Sequence, residues 1–469
     1  MRSILMSKFS VALIAFLLVL SISDSARTGL LPNSKAAVDL EAEVDAYVKP
    51  FLGTKSFSGA VLLAKGGRVL VSKGYGMANY ELDVPNTAQT IFHLASISKP
   101  FTAAAIMILE ERGQLKVTDP LTKFISDYPN GDKITIHHLL IHTSGIANAN
   151  DFPDYNDKSK FPQTTESLVA MFKNRPLTMQ PGERFSYSNS NYNVLAFIIE
   201  KLSGKRYGEF LRENIFDPAG MKDTGHDDNP AKILRNRASG YVPVGVSEIE
   251  NSPYLNWTIK TGNGSLYSTV EDLYKFDRAL YTEKILKKST LEKVFAAHIP
   301  GVGYGWFTGN RFNRQVVRIN GRSPGFQGEI HRYVNDDACV IVLSNNYSGT
   351  ASLMINDLAA ILLGEKYKAP DFAKSAQVDP KIVTELVGTY QGGQNFIRPN
   401  ATLAVQSRDD QLLLVWGPGY VSGLIPMSDG RFFDRMFGGL VSFARDEKGA
   451  VNRLIWYSGG DYVAMKTER

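Results

Sequence analysis

The chain reads as a mixed α/β domain followed by a small antiparallel barrel or sandwich. Strand patterns at 59–75 and again at 303–344 bracket a helix-and-loop region at about 115–290. That order predicts one sheet built from both ends of the domain, with a helical insert. From about residue 381 the texture changes to short alternating strands separated by Asp/Gly turns. With 469 residues, 43% hydrophobic and 21% charged, the chain has apolar material for more than one core.

In chain order, Arg2 and Lys8 precede the apolar run Phe9 to Leu20, and small residues follow at Ser21, Ser23, Ser25 and Ala26. This pattern predicts an export signal over residues 1–25. The run is shorter than the ~20 residues a membrane span needs, and no second membrane segment is found. The expected location is therefore outside the cytoplasm, secreted or periplasmic, with an uncleaved N-terminal anchor as the alternative.

Val38 to Leu52 has the spacing of an amphipathic helix. Strands are expected at Gly59–Ala64 and Arg68–Tyr75, joined by Lys65-Gly66-Gly67. Residues 97–112 form a strongly apolar helix ended by Gly113. Strands return at 303–309, 314–320, 327–333 and 338–344, and Ala351 to Leu363 is a helix. Residues 369–380 read as a linker to a C-terminal region at 381–469. Its expected strands are Thr402–Gln406, Gln411–Val415, Arg431–Phe433, Leu440–Ala444 and Leu454–Tyr457.

Net charge is +5, with no dense Lys/Arg block interleaved with aromatics, so nucleic acid is not an expected partner. The single cysteine, Cys339, excludes an intrachain disulfide. Its apolar surroundings from Ala338 to Leu343 make it a buried strand thiol rather than a nucleophile.

Chemistry concentrates in two segments. Ser96-Ile97-Ser98-Lys99 sits where an apolar helix begins, and Pro100 suits a first turn because no acceptor awaits its missing N–H. Three residues apart, Ser96 and Lys99 share a helix face. A lysine in a partly dry pocket lowers its pKa and becomes a base for the serine hydroxyl. Tyr187-Ser188-Asn189 precedes a second apolar helix, Val194 to Leu202. A tyrosine there can relay a proton, and Asn189 can hold the lysine and a substrate amide oxygen. His138 and His142 have the i, i+4 spacing of zinc ligands on a helix, but Leu139-Leu140-Ile141 between them lacks the metalloprotease glutamate. They read as structural. Gly262-Asn263-Gly264 is a small-residue turn and not a phosphate loop. Tyr254, Trp257 and Tyr304 are candidate pocket or core aromatics.

Taken in order, Thr90 to Thr102, Ile134 to Gly145, Tyr187-Ser188-Asn189, Ser268 to Leu273 and Gly321-Arg322-Ser323-Pro324-Gly325-Phe326 resemble the serine β-lactamase and penicillin-binding-protein superfamily, in particular its class C β-lactamase and D,D-carboxypeptidase branch. The resemblance runs from about Gly59 to Gly364. It implies a β-lactamase-like domain over 34–368, an antiparallel sheet flanked by helices, with a lipocalin-like barrel appended. It implies Ser96 as nucleophile, Lys99 as its activator, Tyr187 as proton relay and Asn189 as orienting group, without metal or organic cofactor. The family's third motif places a cation, any residue and a glycine on a strand lining the pocket. Here it reads Ile319-Asn320-Gly321, so the cation is missing. By the same alignment, the N–H groups of Ser96 and Arg322 form the oxyanion hole.

Three functions compete. The first is a peptidase, amidase or esterase on a small or peptide substrate, cell-wall peptide included. The second is a true β-lactamase or D-Ala-D-Ala carboxypeptidase, which Ile319 counts against. The third is a non-catalytic binding protein of the same fold.

Overall fold

In the computed structural model the described residues are 35–372, 378–409, 411–417 and 420–467. The segment read as an export signal, and the middle of the expected linker, lie outside them. Among the described residues no helix is long and apolar enough to cross a membrane.

The first domain is built on a six-stranded antiparallel sheet. Its order is Phe307–Arg311, Arg314–Ser323, Phe326–Tyr333, Ala338–Ser344, Gly59–Lys65 and Arg68–Tyr75. The N-terminal hairpin thus completes a sheet begun by the late strands, through the pairing of Gly59 with Ser344 and Lys65 with Ala338. The middle strands are continuous apolar runs because both faces are covered. Ala60, Leu62, Ala64, Cys339, Ile341 and Leu343 enter one core, shared with the helical insert. Val61, Leu63, Ala338, Val340 and Val342 enter the other, beneath the Lys35–Gly53 and Thr350–Leu363 helices. Cys339 is a free, buried thiol whose pKa burial pushes up.

The Lys99–Glu111 helix runs through the first core. Every residue from Lys99 to Leu109 is buried, which explains its lack of a polar stripe. The apolar helix expected over 97–112 is split. Ala95–Ser98 is a 3-10 turn, and the α-helix starts at Lys99 with Pro100 in its first turn. Ser96 therefore stands on the turn that feeds the helix.

The C-terminal region closes into an eight-stranded antiparallel barrel in sequence order, Gly388–Gly392 pairing with both Thr402–Arg408 and Asp461–Lys466. The strands Gly388–Gly392, Val421–Pro426 and Asp461–Lys466 add to those expected. A helix at Pro380–Leu386, preceded by the Asp379 cap, packs Val383 and Leu386 on the barrel core. The barrel docks through Arg435. This fully buried guanidinium donates to the carbonyls of Lys55, Val244, Gly245 and Glu248 at 2.6–3.1 Å.

Candidate active site

Three residues far apart in sequence meet around one hydroxyl. Ser96 Oγ lies 2.9 Å from Tyr187 Oη and 3.0 Å from Lys99 Nζ. Lys99 Nζ also donates to Asn189 Oδ1 and to the Asn263 carbonyl, each at 2.9 Å. Both of those partners can only accept. A neutral lysine has two N–H bonds and one lone pair. With its hydrogens on Asn189 and Asn263, the lone pair is left for Ser96.

Electrostatics favour that neutral state. Lys99 is 1% exposed and, among the described residues, has no carboxylate partner. Burial, reinforced by the nearby Lys260 ammonium, holds its pKa well below the ordinary 10.5. Tyr187 exposes 37% of its surface, while its phenol end rests on Ser96. Desolvation pushes the phenol up to about 12, opposed by the Ser96 hydrogen bond, so it is protonated at neutral pH.

Local sequence explains the convergence. Ala95 adopts a left-handed backbone (φ 48°), which turns the chain out of the Phe92–His93 strand and presents Ser96. A β-carbon at Gly321 would stand 2.2 Å from the Leu94 carbonyl and 3.0 Å from Ser96 N, so only glycine lets the third-motif strand approach this turn. The loop carrying the Asn263 carbonyl is fixed from several sides. Thr102 donates to Gly262 O at 2.6 Å, Asn193 to Thr261 O at 2.8 Å, and Leu266 N to Ser98 Oγ at 3.1 Å. Asn189 opens the Asn189–Ser203 helix, its N–H on Asn148 Oδ1 and its side-chain amide on Asn150 Oδ1. Among the described residues the second amide hydrogen of Asn189 has no partner, and it can meet a substrate carbonyl.

The third-motif residues divide by strand parity. Ile319 is 2% exposed and walls a void of about 10 Å³ shared with Lys99, His142 and Tyr187. Such a void holds about one water at most, so the family's cation slot is occupied by hydrocarbon. Asn320 is exposed on the opposite strand face, and Arg322 on that same face turns to the barrel. Arg322 donates to Met436 O at 2.7 Å and stacks on Tyr347 and Phe437, with centroids at 4.1 and 5.0 Å. Only the backbones of these two residues are available to a ligand at Ser96. Arg318, also on that face, lies over Phe307 and near Glu329.

Sequence reasoning missed His142 as a site neighbour. The helix carrying His138 ends at Leu140, and His142 sits beyond it with φ 58°, so the two histidines do not share a helix face. His142 Nδ1 accepts from Ser188 N at 3.2 Å, and its ring lies 4.4 Å from that of Tyr187. Burial, reinforced by Lys99 when that amine is protonated, lowers its pKa to about 3, so it is a neutral support for the tyrosine. Tyr254 and Trp257 line a separate cavity of about 300 Å³ beside His93, and Tyr304 is buried against His137.

Fold and cluster together define a serine hydrolase. Residues 44–365 match the β-lactamase family model, and the chain belongs to that family. A penicillin-binding protein of Bacillus subtilis is 31% identical over 449 residues, 89% of this chain and 97% of that protein. A teichoic acid D-alanine hydrolase of Staphylococcus aureus is 26% identical over 317 residues, 66% of this chain and 76% of that one. Among solved structures, an octameric penicillin-binding-protein homologue from Pyrococcus abyssi superposes with a TM-score of 0.63 at 25% identity. It covers 92% of this chain and 99% of its own.

Proposed function

We propose that the protein is an exported hydrolase that opens an amide or ester bond through an acyl-enzyme on Ser96. The observation that carries this reading is the hydroxyl held at once by Lys99 Nζ (3.0 Å) and Tyr187 Oη (2.9 Å). Lys99 accepts the serine proton through its free lone pair, and Oγ attacks the carbonyl carbon. Negative charge on the carbonyl oxygen is met by the backbone N–H groups of Ser96 and Arg322, each such donor being worth ~3 kcal/mol of barrier. Tyr187 gives its proton to the departing nitrogen or oxygen, and water then cleaves the acyl-enzyme. The name of the staphylococcal relative, a teichoic acid D-alanine hydrolase, supports trying D-alanyl esters and amides as substrates. Ile319 in place of the cation favours a peptidase, amidase or esterase over a penicillin-cleaving or D-Ala-D-Ala-cleaving enzyme. The N-terminal pattern over residues 1–25 supports export.

A fluorophosphonate should label the wild-type chain at Ser96 and leave Ser96→Ala unlabelled. Folded protein that takes no label, or a label kept by Ser96→Ala, refutes the mechanism. A fluorescent penicillin run in parallel separates the substrate classes. Labelling by it that depends on Ser96 would move the assignment to the penicillin-recognising branch.

A further inference from the structure

The cavity of about 300 Å³ beside His93 is lined by none of Ser96, Lys99, Tyr187 and Asn189. Its volume is that of roughly ten waters, room for a small organic molecule. Three of its lining side chains carry polar groups that the fold leaves unmet. Asp227 is 8% exposed. Its Oδ2 accepts from His93 Nε2 at 2.8 Å, and among the described residues its Oδ1 has no partner. Asn256 is 4% exposed. Its Oδ1 accepts from the Thr258 N–H at 3.2 Å and the Thr258 hydroxyl at 2.7 Å, which fixes the amide's orientation. Its two amide hydrogens have no partner among the described residues. Neither Asp227 Oδ1 nor Asn256 Nδ2 is sealed in the protein, and both residues line the cavity. Arg237 is exposed on the same cavity, and its guanidinium makes no ion pair or hydrogen bond among the described residues. Burial, with Arg237 acting in the same direction, holds the His93 pKa below 6.5. The ring is therefore neutral at pH 7 and does not cancel the Asp227 charge. The rest of the wall is aromatic. His93 covers one face of Trp257 at 3.8 Å, and Phe326 meets the two rings at a steep angle at 5.0 and 6.0 Å.

We infer that this cavity is a second ligand site, built for a small zwitterion with its primary ammonium on Asp227 and its carboxylate on the Asn256 amide and the Arg237 guanidinium. An ammonium gains twice in this position, from the free Asp227 oxygen and from the aromatic wall. A carboxylate gains charge-assisted bonds from Arg237 and takes up the Asn256 donor. A simple anion would bring its charge against Asp227, and a simple cation would face Arg237. Only a ligand with both charges satisfies both walls. The inference does not depend on the hydrolase reading, because no side chain of the catalytic cluster lines the cavity.

The test titrates the full chain by calorimetry with β-alanine, 4-aminobutyrate and 6-aminohexanoate, each beside the alkylamine and the carboxylate of its own length. Tryptophan emission is followed in parallel, since Trp257 lines the cavity. The best-fitting zwitterion should bind about tenfold or more tighter than either of its controls. Arg237→Met should reduce its affinity to that of the amine, and Asp227→Asn to that of the carboxylate. Asparagine keeps an acceptor for the His93 N–H. Should that variant still fail to fold, Arg237→Met, a change at an exposed side chain, decides the matter alone. Tyr187→Phe, which alters the catalytic cluster, should leave the Kd within about twofold. The site is overturned if no zwitterion binds tighter than its controls, or if Arg237→Met leaves the affinity unchanged. It is also overturned if Tyr187→Phe weakens binding as much as Arg237→Met does, because the ligand would then sit on the catalytic cluster. Each outcome is read from binding alone, whether or not Ser96 proves to be a nucleophile.

Discussion

Lys260→Met should make this protein more stable at neutral pH, although it removes a charged side chain next to the active site. Burial holds the Lys260 pKa at about 8, against 10.5 for an ordinary lysine. At 1.36 kcal/mol per pH unit, the folded state therefore disfavours the ammonium by about 3 kcal/mol. The sign follows from proton counts. Between pH 8 and 10.5 the unfolded chain holds a proton on this lysine and the folded chain does not, so stability rises with pH. Below pH 8 both states are protonated and the whole penalty is present. Above 10.5 both are neutral and it is gone. The groups facing Lys260 are the amine of Lys99 and the ring of Tyr155, and neither supplies negative charge near neutrality. Methionine keeps the unbranched stem that packs on Gly264 and removes the ammonium. Urea unfolding followed by tryptophan fluorescence should therefore give a variant about 2–3 kcal/mol more stable at pH 7. The difference should shrink from pH 8 and close near pH 10.5. A variant no more stable at pH 7, or a gap that does not vary with pH, would show that the Lys260 ammonium is satisfied in the folded protein and would refute the reasoning.

Tyr187→Phe should cut kcat by 10²–10⁴ with KM little changed, because the lost hydroxyl acts on the leaving group and not on binding; a stopped assay on an anilide with a poor leaving group will show the effect most clearly. Arg322→Ala should lower kcat more than KM for ester substrates while the barrel stays folded, since the guanidinium that ties the Gly321–Arg322 backbone to Met436 would be gone. Unchanged steady-state constants in that variant would mean the barrel does not hold this edge of the site.

The sequence made the nucleophile turn legible because the chemistry and the fold coincide there. Ser96, Lys99 and Pro100 mark a helix start whatever surrounds them, and Tyr187-Ser188-Asn189 marks another. The sheet was readable from its ends because the apolar runs at 59–64 and 338–344 are long enough to be buried on both faces. Three features were not readable. The Asn263 carbonyl that holds Lys99 is main chain and leaves no mark in side-chain identity. His142 has the spacing of a helical partner of His138, yet the helix ends at Leu140 and a left-handed residue redirects the ring toward Tyr187. The strand Val421–Pro426 contains Gly423 and ends in Pro426, which disguise a strand until closure of the barrel pairs it on both edges.

The placement of positive charge ties these observations together. A serine activated by lysine needs that lysine neutral, and burial alone already drives Lys99 that way. A second ammonium close by, that of Lys260, drives it further, so Lys260 prepares the base. In Ile319 the adjoining wall is hydrocarbon, which keeps Lys260 the one unpaired cation, among the described residues, that acts on Lys99.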